Sequence, residues 1–439
     1  MHTELKNLTP SRREFLHCGA AGVLTAAASG AFAGKSAERL KVGLVGCGGR
    51  GMSDAQLFAA NPDAEIAFVC DADQQRLAAA AKQFEIPADR ALTDMRHMLD
   101  DKSLNIVLVT TPDHWHAPAS ILACQAGKHV YVEKPISHNV REGRLLVQAA
   151  EQYGVKVQHG TQSRSTATMI EAVRLLREGI IGNVLVAKCW NIQQRGSIGR
   201  GQETAPPQEL NYDDWVGPAL MIPYRTNRVH NRWTWWYHFG TGDMGNDGVH
   251  DIDYTRWGLG VETHPSRIVA LGGKFFQDDD QEFPDTQQVT FEYPGSGAVG
   301  DRRLLIYEQR LWSTNYPRNV DSGAEFYGTK GQMFLSRRGK VEVLDAKNKI
   351  QELNIPRQRQ DDAAHVRNFL DAILNGEKLN ADALTGHLSS SLCHLGNIAT
   401  RLGRSLEFDP ATEQISGDAE ANGLLRREYR DHWGRPRGA

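Results

Sequence analysis

The sequence predicts an α/β protein: an N-terminal Rossmann-type, doubly wound parallel sheet, followed by an α+β domain on an open, mostly antiparallel sheet. Three observations predict it. Strand-length apolar runs alternate with helical patterns, from "LKVGLV" through "EIAFVC" and "NIVLV" to "HVYV". The first run passes straight into a glycine-rich turn, Gly46-Cys47-Gly48-Gly49-Arg50-Gly51. In the second half the strand-like runs follow one another with Gly and Pro breaks.

Residues 1–33 stand apart from that fold. Arg12 and Arg13 form a twin-arginine pair, Phe15 and Leu16 follow, and Ala31-Phe32-Ala33 supplies a small-x-small cleavage site. The apolar run between is short and rich in Ala and Gly, which disfavours a membrane span. The expectation is an export signal that carries an already folded protein to the periplasm. Export of that kind suits a chain that acquires a cofactor before leaving the cytoplasm.

The chain carries 50 basic and 53 acidic residues, a net charge of −3. No basic face or cluster points to nucleic acid, and no other stretch looks transmembrane. Beyond Cys18 the cysteines are Cys47, Cys70, Cys124, Cys189 and Cys393, an odd, scattered set that argues against a disulfide framework.

The glycine turn sits where a dinucleotide fingerprint belongs, between a strand and a helix. Gly46 permits the tight turn, Gly48 and Gly49 let backbone approach a pyrophosphate, and Gly51 allows close helix packing, with Arg50 among them. Asp71 ends the second strand about twenty residues later, where a carboxylate accepts from ribose hydroxyls and repels a 2′-phosphate. The cofactor expected is NAD, and residues 34–160 form its domain.

Ligands of such sheets bind at the carboxyl ends of the strands. There the sequence places Thr111, Pro112 and His116 within "TTPDHWH", and Glu133, Lys134 and Pro135 in "EKP". Lys134 precedes a proline, which disfavours helix and aims the lysine into the crevice.

Residues 161–439 are expected to form the substrate and oligomer domain. Its strands are read in "NVLVAKCWNI", "PSRIVALGGKF", "QQVTFEY", "RLLIYEQR", "AEFYGTKGQMFLS" and "GKVEVLD". A long polar insertion separates the first two. It ends in Trp233, Trp235, Trp236, Tyr237 and His238, which form either a sugar-stacking platform or part of a core. Two helices follow near the C-terminus, one with His365, Phe369, Ala372 and Ile373 at helical spacing, and the basic tail reads as a docking arm.

The fingerprint, the "TTPDHWHAPASILACQAGKHVYVEKP" block and the segment "GTGDMGNDGVHDIDYTRW" together resemble the Gfo/Idh/MocA oxidoreductases over nearly the whole chain after residue 33. The resemblance implies that Lys134 lies beside the nicotinamide and the reacting carbinol, and that Glu133 and Pro135 shape the cofactor site. His116 takes a motif histidine position. It also implies substrate or cofactor contacts from Gln162 and Arg164, and an oligomer, dimer or tetramer. His250 takes a catalytic histidine position, and Asn246 stands where many such dehydrogenases carry aspartate. Asn246 orients but cannot supply charge, so His250 is expected to titrate lower than an Asp-paired histidine.

Asp243, Asp247, Asp251 and Asp253 are ligand types, yet their helical spacing does not converge, and solvated or capping roles are expected in place of a metal site. The function read from these residues is NAD-dependent hydride transfer at a hydroxyl of a sugar, sugar acid or glycoside. Lys134 and His250 handle the proton, and Asn246 with Gln162, Arg164, Trp235, Tyr237 and His238 meets substrate. The alternatives are redox-neutral glycoside cleavage on a retained NAD, and a non-catalytic sugar- or cofactor-binding protein.

Overall fold

The computed structural model describes residues 39–230 and 232–438. The twin-arginine segment lies outside the described residues. Six parallel strands form the first sheet: β1 (Leu40–Val45), β2 (Ala64–Cys70), β3 (Ala91–Leu92), β4 (Leu104–Val109), β5 (His129–Val132) and β6 (Val157–His159). Their order is β3-β2-β1-β4-β5-β6, which reverses direction between β1 and β4. Strands covered by helices on both faces must be apolar throughout, and β4, "LNIVLV", is buried along its length apart from half-buried Asn105. Asn139 starts the helix Val140–Tyr153, its Oδ1 accepting from the Glu142 N–H at 2.9 Å.

The second sheet has nine strands: β7 (Val184–Asn191), β8 (Arg267–Gly273), β9 (Thr286–Tyr293), β10 (Arg303–Arg310), β11 (Ser322–Gly328), β12 (Gly331–Ser336), β13 (Lys340–Asp345), β14 (Leu406–Asp409) and β15 (Gln414–Ile415). Their order is β13-β12-β11-β7-β10-β9-β8-β14-β15. Only β7 and β10 pair in parallel; the other ladders are antiparallel. Helices Val249–Leu259 and Ala383–Leu402 pack on one face of this sheet, burying Ile252, Leu392 and Leu395 against Val289, Phe291 and Leu305. Among the described residues no helix covers the opposite face. It carries the Lys188–Glu308 pair at 2.7 Å and exposes Val269 and Leu271 on β8.

The helix Asp362–Leu374 crosses back to the first domain. Val366, Phe369 and Leu370 pack with Val42, Leu44 and Tyr131, each large side chain contributing about 1.5–3 kcal/mol on burial. Helical spacing had marked that apolar face without naming the surface it meets. The basic tail also packs inward: Arg430 bonds the Gly217 carbonyl at 2.5 Å, and Trp433 lies 5.1 Å from Trp115, ring to ring. The five cysteines of the described chain are buried and free.

Candidate functional site

A cleft opens at the carboxyl ends of β1, β2 and β4. Its floor is the glycine turn, whose backbone tolerates no side chain at two positions. Gly46 has φ +94°, and a Cβ there would stand 2.7 Å from the Thr110 carbonyl oxygen. A Cβ on Gly51 would stand 2.0 Å from the Gly46 oxygen, while one on Gly49 would meet nothing. The turn is therefore closed where the helix packs and open at Gly49, where a phosphate can approach the amides that begin helix Gly49–Ala59. Asp71 stands on the cleft wall just after β2. Its carboxylate accepts the Cys47 N–H at 2.6 Å and the Asp73 N–H at 2.8 Å, and burial raises its pKa. The Thr111 hydroxyl is buried without a partner on the cleft wall. An open glycine turn, a carboxylate on the cleft wall and an orphaned hydroxyl fit a dinucleotide.

Several wall residues escaped sequence reasoning. Arg76 reaches in from the helix after β2, with its guanidinium 2.9 Å from where a Gly48 Cβ would lie. His230 bonds Asp73 at 2.9 Å. Trp115, Trp215 and Trp433 supply aromatic wall, drawn from the first domain, the insertion and the tail, together with Trp233, which the sequence offers to a sugar platform or a core. For Arg76 a signal existed, since it lies five residues beyond Asp71. For Trp433 no sequence signal existed.

Arg50 also lines the cleft, but its guanidinium is committed to Asp54, Glu133 and Asp362, at 2.9, 3.0 and 3.0 Å. Burial pushes Glu133 up, yet Arg50, Lys134 and His250 outweigh it and bring its pKa down to about 2. Each His116 ring nitrogen faces a carbonyl oxygen, Pro135 at 2.6 Å and Thr111 at 2.8 Å, to which an imidazole N–H donates. It therefore ties the two strand-end motifs together from behind and does not itself face the cleft. Pro135 lies buried between Lys134 and this contact.

Lys134 projects from the end of β5 onto the segment before helix Val249–Leu259. Its Nζ donates to the Asn246 carbonyl oxygen and, at 3.2 Å, to Asn246 Oδ1. Residues Met244–Gly248 form a π-helical turn, so Asn246 is presented by a widened turn rather than by a regular helix start. Asn246 Nδ2 points at Asp243 Oδ1, 3.4 Å away. Asp243 is in turn held by Arg195 at 2.9 Å and by the Asn191 amide at 2.8 Å.

His250 is buried on the same segment, with Nδ1 lacking a protein partner. Burial first, then Arg337 and Lys134, push its pKa well below the usual value, while Asp247 and Glu133 oppose them. The low titration expected from Asn246 is present, but its cause is burial and neighbouring cations. Asp247 supplies the carboxylate that Asn246 lacks. It pairs with Arg337 at 2.7 Å and lies 3.4 Å from Arg195.

The expectation of solvated or capping aspartates fails. Asp243, Asp251 and Asp253 are buried, and each meets a guanidinium. Periodicity could not reveal this, because Arg195, Arg337 and Arg164 lie far away in sequence. Burial raises Asp251 to about 7, against the pull of Arg337.

Other predicted contacts are placed elsewhere. Gln162 is fully buried, donating to Glu133 at 2.8 Å and to the Tyr131 hydroxyl at 3.2 Å. Arg164 spends its Nε on both oxygens of Asp253, at 2.7 and 3.0 Å, with its guanidinium over Trp257. Both support the site from within the core rather than facing it. Trp235 packs with Trp215, Phe239 and Phe283 in an aromatic core, so the stacking-platform reading fails there. Tyr237 and His238 line a different cavity.

Residues 40–161 match the model of an oxidoreductase family's NAD-binding Rossmann fold, and residues 185–435 match that of its C-terminal alpha/beta domain. The chain belongs to the Gfo/Idh/MocA oxidoreductase family. Its first domain is an NAD-binding domain. Among Gfo/Idh/MocA relatives, inositol 2-dehydrogenase 2 of Saccharopolyspora erythraea is 30% identical over 385 residues, covering 84% of this chain and 96% of that one. Levoglucosan dehydrogenase of Pseudarthrobacter phenanthrenivorans is 28% identical over 235 residues, 51% of this chain and 52% of that protein. The match to glycosyl hydrolase family 109 protein 1 of Shewanella is 28% over 155 residues, 34% of either chain. The chain thus spans about half or less of the length of these last two relatives. Among solved structures, the aldose-aldose oxidoreductase of Caulobacter crescentus superposes with a TM-score of 0.65 at 19% identity, covering 84% of this chain and all of that one. Levoglucosan dehydrogenase with NADH and levoglucosan gives 0.65 at 19%, covering 84% and 99%. These likenesses establish the shared fold.

Proposed function

We propose that this chain is an exported NAD-dependent oxidoreductase that acts on a carbinol of a sugar, sugar acid or glycoside and keeps its cofactor bound through turnover. The observation that carries the reading is the convergence of Lys134, Asn246 and His250 beside Glu133, at the strand ends next to the dinucleotide cleft. Bound NAD supplies the hydride acceptor. An ammonium has three N–H donors, and Lys134 gives two to Asn246, leaving one for the substrate oxygen. His250, kept neutral by burial and by Arg337 and Lys134, is able to take the hydroxyl proton. Asp247, Arg195 and Gln193 offer half-buried polar groups beside it for further hydroxyls. Named relatives that act on levoglucosan and inositol support a polyhydroxylated substrate.

Cofactor retention is supported by the tryptophans over the cleft, and export by the Arg12-Arg13 segment. Exposed Val269, Leu271, Phe275, Phe276 and Trp312 beside the open sheet support a homo-oligomer. Redox-neutral glycoside cleavage is the second reading, favoured by the partial match to a glycosyl hydrolase.

The test is to purify the protein without added cofactor, denature it, and identify the released ligand by absorbance and mass. Near-stoichiometric NAD is expected. Product analysis on a glycoside panel then separates the readings: an oxidised sugar for the first, a free unoxidised sugar for the second. Protein without NAD that binds it only weakly would overturn retention. Turnover unchanged by Lys134→Met would overturn the catalytic assignment.

A further inference from the structure

A second cavity lies behind the Tyr237–Thr241 loop. The C-terminal end of helix Ala383–Leu402, the tail around Arg426 and the residues just after the EKP motif close its other sides. Lys134, Asn246 and His250 are not among its lining residues. The two are neighbours: Thr241, in the cavity lining, donates to Asp113 at 2.6 Å and packs on Gly245, next to Asn246.

Its polar groups are incompletely satisfied. Both ring nitrogens of His138 are buried without a hydrogen-bond partner; the Tyr237 backbone approaches the ring but misses hydrogen-bond geometry. Burial pushes His138 well below its ordinary pKa, so the ring offers one donor and one acceptor. Asn139 is 4% exposed, and its Nδ2 is unpartnered because only Oδ1 is used, as the helix cap. Leaving such buried groups unpaired costs stability, and a hydroxyl-bearing ligand would recover it.

The rim is cationic. Arg401 is exposed, stacked over the Tyr237 ring at 4.1 Å, and has no carboxylate partner among the described residues. Arg426 is exposed and likewise unpaired there. Arg427 is already committed to Glu142 at 2.8 Å and the His114 carbonyl at 2.7 Å, though its Nε and Nη1 remain unpartnered. Glu428 is the acidic residue in the lining.

We propose that this cavity is a binding site for a small polyhydroxylated anion, held at its charged end by Arg401 and Arg426 and at its hydroxyls by His138 and Asn139. The shared chemistry is an oxyanion on a polyol, whether a sugar acid or a sugar phosphate. Planar guanidinium forks match either oxyanion. The site does not depend on the reaction assigned to Lys134 and His250.

The experiment is calorimetric titration of the purified protein with gluconate, glucose 6-phosphate and glucose. Saturable binding of at least one anion is expected, at least 10-fold tighter than glucose, and the anion that binds identifies the source. The double variant Arg401→Ala/Arg426→Ala should weaken it at least 10-fold, with NAD content unchanged; both side chains are exposed, so the fold should tolerate the change. Lys134→Met should leave anion binding as it was. Lack of saturation by either anion, glucose binding as tightly, binding unaffected in the double arginine variant, or binding lost in Lys134→Met would each overturn the proposal.

Discussion

Replacing Asp247 by Asn isolates the charge that the structure puts beside His250. The Asp247 carboxylate pairs with Arg337 at 2.7 Å, and the Arg337 side chain is 8% exposed. The amide keeps the shape and loses the charge, leaving Asp251 at 3.7 Å as the nearest carboxylate to Arg337. Orphaning a buried charge costs about 3–5 kcal/mol. Arg337 keeps its bond to the Ser322 hydroxyl at 3.1 Å, and Asp247 is 16% exposed, so the lower end, about 3 kcal/mol, applies. Unfolding entropy of roughly 2.1 cal/mol/K per residue gives about 0.9 kcal/mol/K for 439 residues, and hence a fall in Tm of about 3 °C.

The second consequence is catalytic. Asp247 raises the His250 pKa against burial and two cations. Without it the imidazole titrates lower still and becomes a weaker base. The acidic limb of kcat/KM should move to lower pH, and kcat should fall on the order of 10-fold. Calorimetry and a pH–rate profile measure the two effects separately. An acidic limb that stays in place or moves upward, with Tm falling as calculated, would refute His250 as the titrating group.

Gly51→Ala should abolish retention of NAD, because the new Cβ would lie 2.0 Å from the Gly46 oxygen; NAD content of the purified variant reads it. Trp433→Ala opens the cleft wall opposite Trp115, and NAD release, followed by dilution and fluorescence, should quicken about 10-fold, near 1.4 kcal/mol; an unchanged rate would remove the tail from cofactor retention. Acid should destabilise the fold through its buried histidines, with Asp251, which burial raises to about 7, offsetting part of the loss. Burial lowers His114, His159 and His394 to about 3 and His365 and His387 to about 4. These depressed pKa values give stability that is present above about 6.5 and is lost as pH falls toward 4, at about 1.4 kcal/mol per pH unit for each histidine. A Tm that stays level from pH 7 to 5 would contradict this.

The sequence by itself determined whatever depends on neighbours in the chain. The glycine spacing from Gly46 to Gly51, the strand running up to Asp71, the strand before the EKP motif and the second-domain strands are local patterns, and those elements form there, with "AEFYGTKGQMFLS" folded as the hairpin β11–β12. The four-residue step from Asn246 to His250 was equally legible, though the π-helical turn that presents Asn246 was not. Only the tertiary structure decided which groups pair. Gln162 and Arg164 looked available until the fold brought Glu133 and Asp253 against them, and the aspartates looked solvated until Arg195 and Arg337 arrived from β7's end and β12's end. The return of helix Asp362–Leu374 to the first domain and of Trp433 to the cleft belong to the same class. The physical reason is that periodicity tells which face of an element is apolar, whereas the desolvation of a charge, and so its need for a partner, depends on what covers that face from tens to hundreds of residues away.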